Sequence, residues 1–241
     1  MSLTCVSAYF LVENKHGTEY MEWFKNSLAI QCPYVFFTTS EYVDIIKECR
    51  KGLETHFIIT TIADFYTNCV KDRMITHPIH CPSIELNMIW NEKIYMIKRA
   101  SEINPFNSDW FLWVDAGLCI YRTSPPPNVR FPSSTILESL SPDYFYYSSS
   151  KKTYNPSLVT RTNYYHYVSG IFLQHKTLIH SFAELYSIYL RSYVDTLNVW
   201  TDQVLLTHIF KKHPDKFYKL ADDYGEIVQI LFGSYVTEKT F

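Results

Sequence analysis

The sequence predicts an α/β protein whose first half is a mainly parallel sheet covered by helices and whose second half is a more mixed α+β region. Three observations carry this. Short β-branched or aromatic runs alternate with helical patterns up to about residue 115. One long apolar face at helical spacing joins Leu86, Ile89, Met96, Ile97, Ala100 and Ile103. Beyond residue 140, aromatic strand-like runs are followed by two further amphipathic helices. No internal repeat appears, and residues 1–241 read as a single domain.

Each element has a local reason. Leu3 to Val12 is the first strand, and a helix is expected over about 18–30. Tyr34 to Thr39 is the second strand, after which Ser40 suits an N-cap for a helix ending near Lys51-Gly52. Thr55 to Ile62 is the third strand, and residues 64–83, with weak periodicity and two prolines, read as loop and short helix. The helix from Pro82 carries the apolar face named above, interrupted by Lys93, and Asn104-Pro105-Phe106 stops it. Asp109 to Val114 is a buried strand ending in Asp115-Ala116-Gly117. Residues 125–142, rich in Pro and Ser, predict a surface segment able to act as a flexible lid. Strand-like runs follow at 143–148 and 164–173, then a helix with Leu178, Phe182, Leu185, Tyr186 and Tyr189. Thr201 is a good N-cap for a last helix bearing Val204, Leu205, His208 and Ile209.

Composition excludes several classes. With 241 residues, 47% of them hydrophobic, the chain can bury a core without disulfides or a structural metal. The net charge of −2 disfavours a nucleic-acid reader or an anionic membrane partner. Cys5, Cys32, Cys49, Cys69, Cys81 and Cys119 are scattered singly, which predicts free thiols in a reducing cytoplasm. No leader peptide and no apolar run of membrane-spanning length is evident. Only six glycines occur, and neither a P-loop nor a G-x-G-x-x-G turn is present, so a nucleotide would have to be held another way.

Three sites stand out for chemistry. Trp110-Phe-Leu-Trp-Val-Asp115-Ala-Gly117 delivers a carboxylate to the C-terminal edge of a strand, where open α/β sheets bind ligands. A divalent cation between Asp115 and a diphosphate would compensate that charge, and Gly117 would let the backbone come close. The plain alternative is that Asp115 caps a turn; an aspartyl-phosphate phosphatase would want a second acid where Gly117 stands. Lys93 either snorkels to a helix end or aims into a polar pocket, towards Asp115 or a phosphate. Asp202, in the first turn of a helix, is held ionised by the helix dipole and suits a base or an electrostatic stabiliser, or simply a good helix start. His77, His80 and Cys81 have zinc-ligand types but no fourth ligand nearby, and read as solvated surface. His166 and His213 are lone histidines, and the many aromatics suit a core more than a sugar-stacking face.

An ordered series of segments resembles the HtrL/YibB family, bacterial proteins associated with lipopolysaccharide biosynthesis, and more distantly the GT-A glycosyltransferases. It begins with Thr4-Cys-Val-Ser-Ala-Tyr-Phe10 followed by His16, Tyr20 and Trp23, then Tyr34-Val-Phe-Phe-Thr38. The most specific block is Glu85-Leu86, Ile89-Trp-Asn-Glu-Lys93 and Asn104-Pro-Phe-Asn-Ser-Asp109 running on to Gly117. Val168-Ser-Gly-Ile-Phe172 and Asp202-Gln203 complete it, with Ser169-Gly170 where the family is expected to have Gly-Gly.

The resemblance implies a GT-A-like domain with a Rossmann-like N-terminal sheet. Residues 1–124 would bind a nucleotide sugar and 125–241 an acceptor. It implies a cytoplasmic glycosyltransferase moving a hexose, with a UDP-sugar the expected donor, to a hydroxyl of a glycan or other acceptor. Asp115 takes the place of the first acid of a DXD motif, which meets Mn2+ or Mg2+. Gly117 replaces the second acid, leaving open weak coordination, sharing with Asp222 or Asp223, or no metal. Ala8, Tyr9, Lys93, Asp115, Gly117 and Arg122 are the expected donor-binding residues. Ser169, Gly170 and Gln203 are expected on the acceptor side, and Asp115 and Asp202 at the chemistry. The alternative is a catalytically silent carbohydrate-binding or scaffold protein that keeps the fold after losing the full DXD.

Overall fold

The computed structural model describes residues 1–197 and 199–233. In chain order the elements are β1 (Leu3–Tyr9), α1 (Tyr20–Ser27), β2 (Tyr34–Thr38), α2 (Val43–Cys49), β3 (Thr55–Ile59), α3 (Ile84–Ile103) and β4 (Trp110–Trp113). There follow α4 (Ser134–Ser139), β5 (Phe145–Ser149), β6 (Val168–His175), α5 (Lys176–Tyr193), α6 (Asp202–Lys212), β7 (Phe217–Ala221) and α7 (Glu226–Leu231).

Seven strands form one sheet in the order β3-β2-β1-β4-β6-β5-β7. All pairings are parallel except the two made by β6, which runs against β4 and β5. β1, β2 and β4 are buried on both faces, which is why their sequences are continuous apolar runs and not alternating ones. Alternate side chains supply two cores. Val6, Val35, Phe111 and Trp113 pack with α3, α5 and α6 through Ile97, Phe182 and Leu205. Cys5, Phe36, Leu112 and Ile171 pack on the other face with Phe24, Ile46, Leu137 and Ile227. The sheet therefore has helices on both faces, as expected. All six cysteines are free thiols, and among the described residues no helix is long and apolar enough to cross a membrane.

Two local devices place the functional edge. Ser83 caps α3 by accepting from the Leu86 amide, and Asn104, left-handed at φ 39°, ends it. The antiparallel pair sets Leu112 opposite Leu173, and continuing that register brings Asp115 level with Gly170. The C-terminal ends of β1 and β4 and the start of β6 thus share one edge.

Some expectations are corrected. Ser40 does not cap α2: it opens a 3-10 turn, and α2 begins at Val43 without a side-chain cap. Residues 125–142 run over the surface as expected but are anchored: Phe131 and Leu137 are buried in the second core, the Phe131 amide donates to Gln31 O, and the Ser133 amide donates to Leu231 O. The strand expected from 164 starts at Val168, and β7 and α7 were not expected at all. Lys219 and Asp222-Asp223 break the apolar pattern there, and β7 keeps its place through parallel pairing with β5.

Candidate functional site

Lys93 points inward. Its side chain is 4% exposed, and Nζ lies 3.0 Å from Asp115 Oδ1 and 3.5 Å from Asp202 Oδ2. It also donates to Gly170 O at 3.2 Å. Four positions far apart in sequence, from α3, the end of β4, the start of β6 and the start of α6, are thereby tied into one ion group. Burial alone would lower the Lys93 pKa, but the two carboxylates outweigh it and raise the pKa above its ordinary value.

The two acids are held differently. Asp115 receives Trp113 Nε1 on Oδ1 at 2.8 Å and the Tyr224 hydroxyl on Oδ2 at 2.6 Å. Burial opposes its charge, yet Lys93 and these two donors prevail and keep its pKa below the ordinary carboxylate value. Its side chain is 29% exposed, so it is the member of the group that a ligand can touch. Asp202 is 2% exposed, and among the described residues its Oδ2 has no hydrogen-bond donor apart from the 3.5 Å contact with Lys93. Burial raises its pKa, Lys93 offsets this in part, and Asp115 adds to the rise. Thr201 caps α6, accepting from the Gln203 amide and donating to Asp202 Oδ1 at 2.9 Å. Asp202 thus lines the cavity beside Lys93, with its carboxylate almost fully buried.

The group floors a cavity of about 550 Å3 that also reaches Ala8, Tyr9, Gly117, Arg122 and Gln203. On one wall, Arg122 stacks on Trp23 at 3.7 Å and donates through Nε to Gly117 O at 2.9 Å, with Lys15 and His16 beside it. On another, Tyr164 stacks on Trp200 with ring centroids 4.0 Å apart, His80 lies parallel to Trp200 at 5.5 Å, and His166 bonds Ser150 at 2.8 Å. Burial lowers the His166 pKa to about 4, so its ring is neutral at pH 7.

A Cβ on Gly170 would come within 2.8 Å of Lys93 Nζ and 2.9 Å of Asp202 Oδ2, so the missing side chain makes room for the ion group. A Cβ on Gly117 would meet Tyr20 and Trp23 at 2.8 Å, so the space next to it is already filled by aromatic rings. Ser169 is fully buried, with its hydroxyl turned to Ile171 O, and does not reach the cavity. His213 is also remote, bonded to Tyr189. His77 and His80 build the aromatic wall around Trp200, which sequence reasoning missed together with Tyr224; only the cluster of aromatic and histidine residues hinted at it.

The residues present do not fit a divalent cation. The oxygens of Asp115 are engaged by Lys93, Trp113 and Tyr224, Asp222 pairs with Lys219 at 2.7 Å, and among the described residues no three His, Cys, Asp or Glu side chains are placed to hold a metal.

No curated protein sequence matches the chain. Among solved structures it is similar to the galactosyltransferase LgtC in complex with donor and acceptor sugar analogs, at TM-score 0.50 and 12% identity, covering 91% of this chain and 73% of that one. The glycosyltransferase GlyE from Streptococcus pneumoniae TIGR4 aligns at TM-score 0.45 and 13% identity over 99% of this chain and 51% of its own. The match to LgtC makes the fold GT-A-like. The profile of a family described as "Bacterial protein of unknown function (HtrL_YibB)" matches residues 58–232, and the chain belongs to that family.

Proposed function

We propose that the protein is a cytoplasmic glycosyltransferase that moves a hexose from a nucleoside-diphosphate sugar, with UDP-sugars the first candidates, to a hydroxyl of a glycan or other acceptor. The observation that carries this reading is Asp115, an ionised carboxylate open to the cavity and fixed from behind by Lys93, Trp113 and Tyr224.

In this reading, the acceptor oxygen bonds to the anomeric carbon as the bond from that carbon to the phosphate oxygen breaks. The electron pair leaves with the nucleoside diphosphate, which also takes the hydroxyl proton. Asp115 faces the positive charge that develops on the sugar, with no reorganisation needed at that moment. Arg122 and Lys15 meet the departing diphosphate on one wall, with Ala8 and Tyr9 beside the nucleoside. Tyr164 and Trp200 offer a ring face to the acceptor on the other, with Gln203 as a polar contact. In this reading most of the donor wall comes from residues 1–124 and most of the acceptor wall from 125–241, with His80 crossing over to the latter.

The test is release of nucleoside diphosphate from a panel of nucleotide sugars. Turnover is expected for one donor class and is expected to fall about a thousandfold in Asp115→Asn, a change that keeps the shape and removes the charge. No binding and no turnover with any nucleotide sugar would sink the reading and favour a silent carbohydrate-binding fold.

A further inference from the structure

A divalent cation that clamps a diphosphate needs oxygen ligands with lone pairs to spare and an open position between protein and phosphate. The oxygens around Asp115 are committed otherwise. Lys93 Nζ already stands among Asp115 Oδ1 at 3.0 Å, Gly170 O at 3.2 Å and Asp202 Oδ2 at 3.5 Å, a cation tethered inside an oxygen cage. Residue 117, where a second acid would reach a metal, has no room, because Tyr20 and Trp23 occupy the space that any Cβ would need. Asp222 is paired with Lys219, and the Asp222 and Asp223 amides are bound by Glu226, which keeps that turn folded on itself.

The cations that a diphosphate requires are present as side chains. Arg122 is fixed by its stacking on Trp23 and by the bond from Nε to Gly117 O. Its terminal nitrogens make no hydrogen bond among the described residues, and it lines the cavity with Lys15. A guanidinium held in plane with its outer N–H groups unengaged matches phosphate oxygens two at a time.

We propose that the protein binds the diphosphate of its donor without a divalent cation: Lys93 balances one of the two carboxylate charges of Asp115 and Asp202 from beneath, and Arg122 with Lys15 takes the phosphates. This rests on the donor reading above. Lys93 and Asp202 are positioning residues in it. Without the ammonium, two carboxylates would face the phosphates and an added metal would be needed to bridge them. With it, the floor of the cavity carries its own counter-charge, and Gly170 is the residue that lets the ammonium sit there.

Two measurements on the full chain test this independently. First, binding of Mn2+ alone is followed by electron paramagnetic resonance in the wild type and in Asp115→Asn. No site is expected; one Mn2+ per chain that disappears in Asp115→Asn overturns the proposal whatever the nucleotide does. Second, UDP, GDP, CDP and dTDP are titrated calorimetrically in EDTA and in Mn2+. A nucleotide whose Kd differs by less than tenfold between the two supports the proposal, and tighter binding in Mn2+ by tenfold or more, about 1.4 kcal/mol, overturns it. If none binds in either buffer, the glycosyltransferase reading fails, while the Mn2+ measurement still decides whether the Lys93 cage excludes a metal. Arg122→Ala separates the roles further: it is expected to weaken the nucleotide and to leave the Mn2+ result unchanged.

Discussion

Two buried cations hold opposite ends of this sheet, and they differ in what surrounds them. Arg50, just after α2, is 2% exposed and spends all five N–H groups. It donates to the carbonyls of Leu28 (2.7 Å), Ile30 (3.0 Å), Cys32 (2.7 Å) and Glu54 (3.2 Å) and to Thr55 Oγ1 (2.9 Å), with its plane on Tyr34 at 3.8 Å. Among the described residues no carboxylate pairs with it. Lys93 is buried as deeply but sits between two acids, one of which opens on a cavity. A cation saturated by neutral carbonyls ties loops together. A cation that shares charge with a half-exposed carboxylate sets the field of a binding site. Burial alone does not tell these apart; the partners do.

The sharpest way to break the comparison is at Arg50. Arg50→Met strands four carbonyls, and stability should fall by about 4 kcal/mol or more, measured by urea unfolding, with nucleotide affinity unchanged in the fraction that remains folded. Lys93→Met should cost some stability as well, but its larger effect is on function: turnover falls about a hundred- to a thousandfold, or about 3–4 kcal/mol in the barrier. Because removal of Lys93 leaves two acids facing each other, Asp202→Asn added to Lys93→Met should restore stability but not activity. Recovery of both would mean that the lysine is only structural.

Glu92, the neighbour of Lys93 on α3, is the next test. It accepts from the Tyr66 and Thr67 amides, both at 2.9 Å, with Arg99 the nearby cation. Burial prevails over these donors and pushes its pKa from 4.5 to about 7. The folded state therefore keeps a proton that the unfolded chain releases at 4.5, and stability is lost as pH rises from there to about 7. Glu92→Gln should remove that pH-dependent change, about 3 kcal/mol, without touching turnover at pH 7. The smallest effect is expected at Gly170→Ala: the added methyl must displace Lys93 or Asp202, and about a tenfold loss of turnover, about 1.4 kcal/mol, should appear with little change in melting temperature.

Much of the frame could be read from residue order. The alternation of apolar runs and helical faces predicts the strands up to β4, and Thr201 announces α6 by its capping chemistry. The interruption of an apolar helix face by Lys93 is visible because a charge among Ile89, Met96 and Ile97 has only two physical outcomes, escape or compensation. Which one holds is not local. Tyr224 was invisible because it hangs from β7 and α7, elements that depend on pairing and packing more than on periodicity.

By itself, then, the sequence determined where carboxylates and an ammonium stand along the chain, since strand ends and helix starts obey short-range rules of backbone and capping. Tertiary structure alone decided that β6 runs against β4, which sets Gly170 level with Asp115 and closes the cage on Lys93. It also decided that Gly117 is walled by Tyr20 and Trp23, that Phe131 and Leu137 anchor residues 125–142 to the second core, and that Asp202 pairs with the lysine. The reason is range: electrostatic compensation and steric room are properties of what lies across space, and here the groups that meet are up to 109 residues apart.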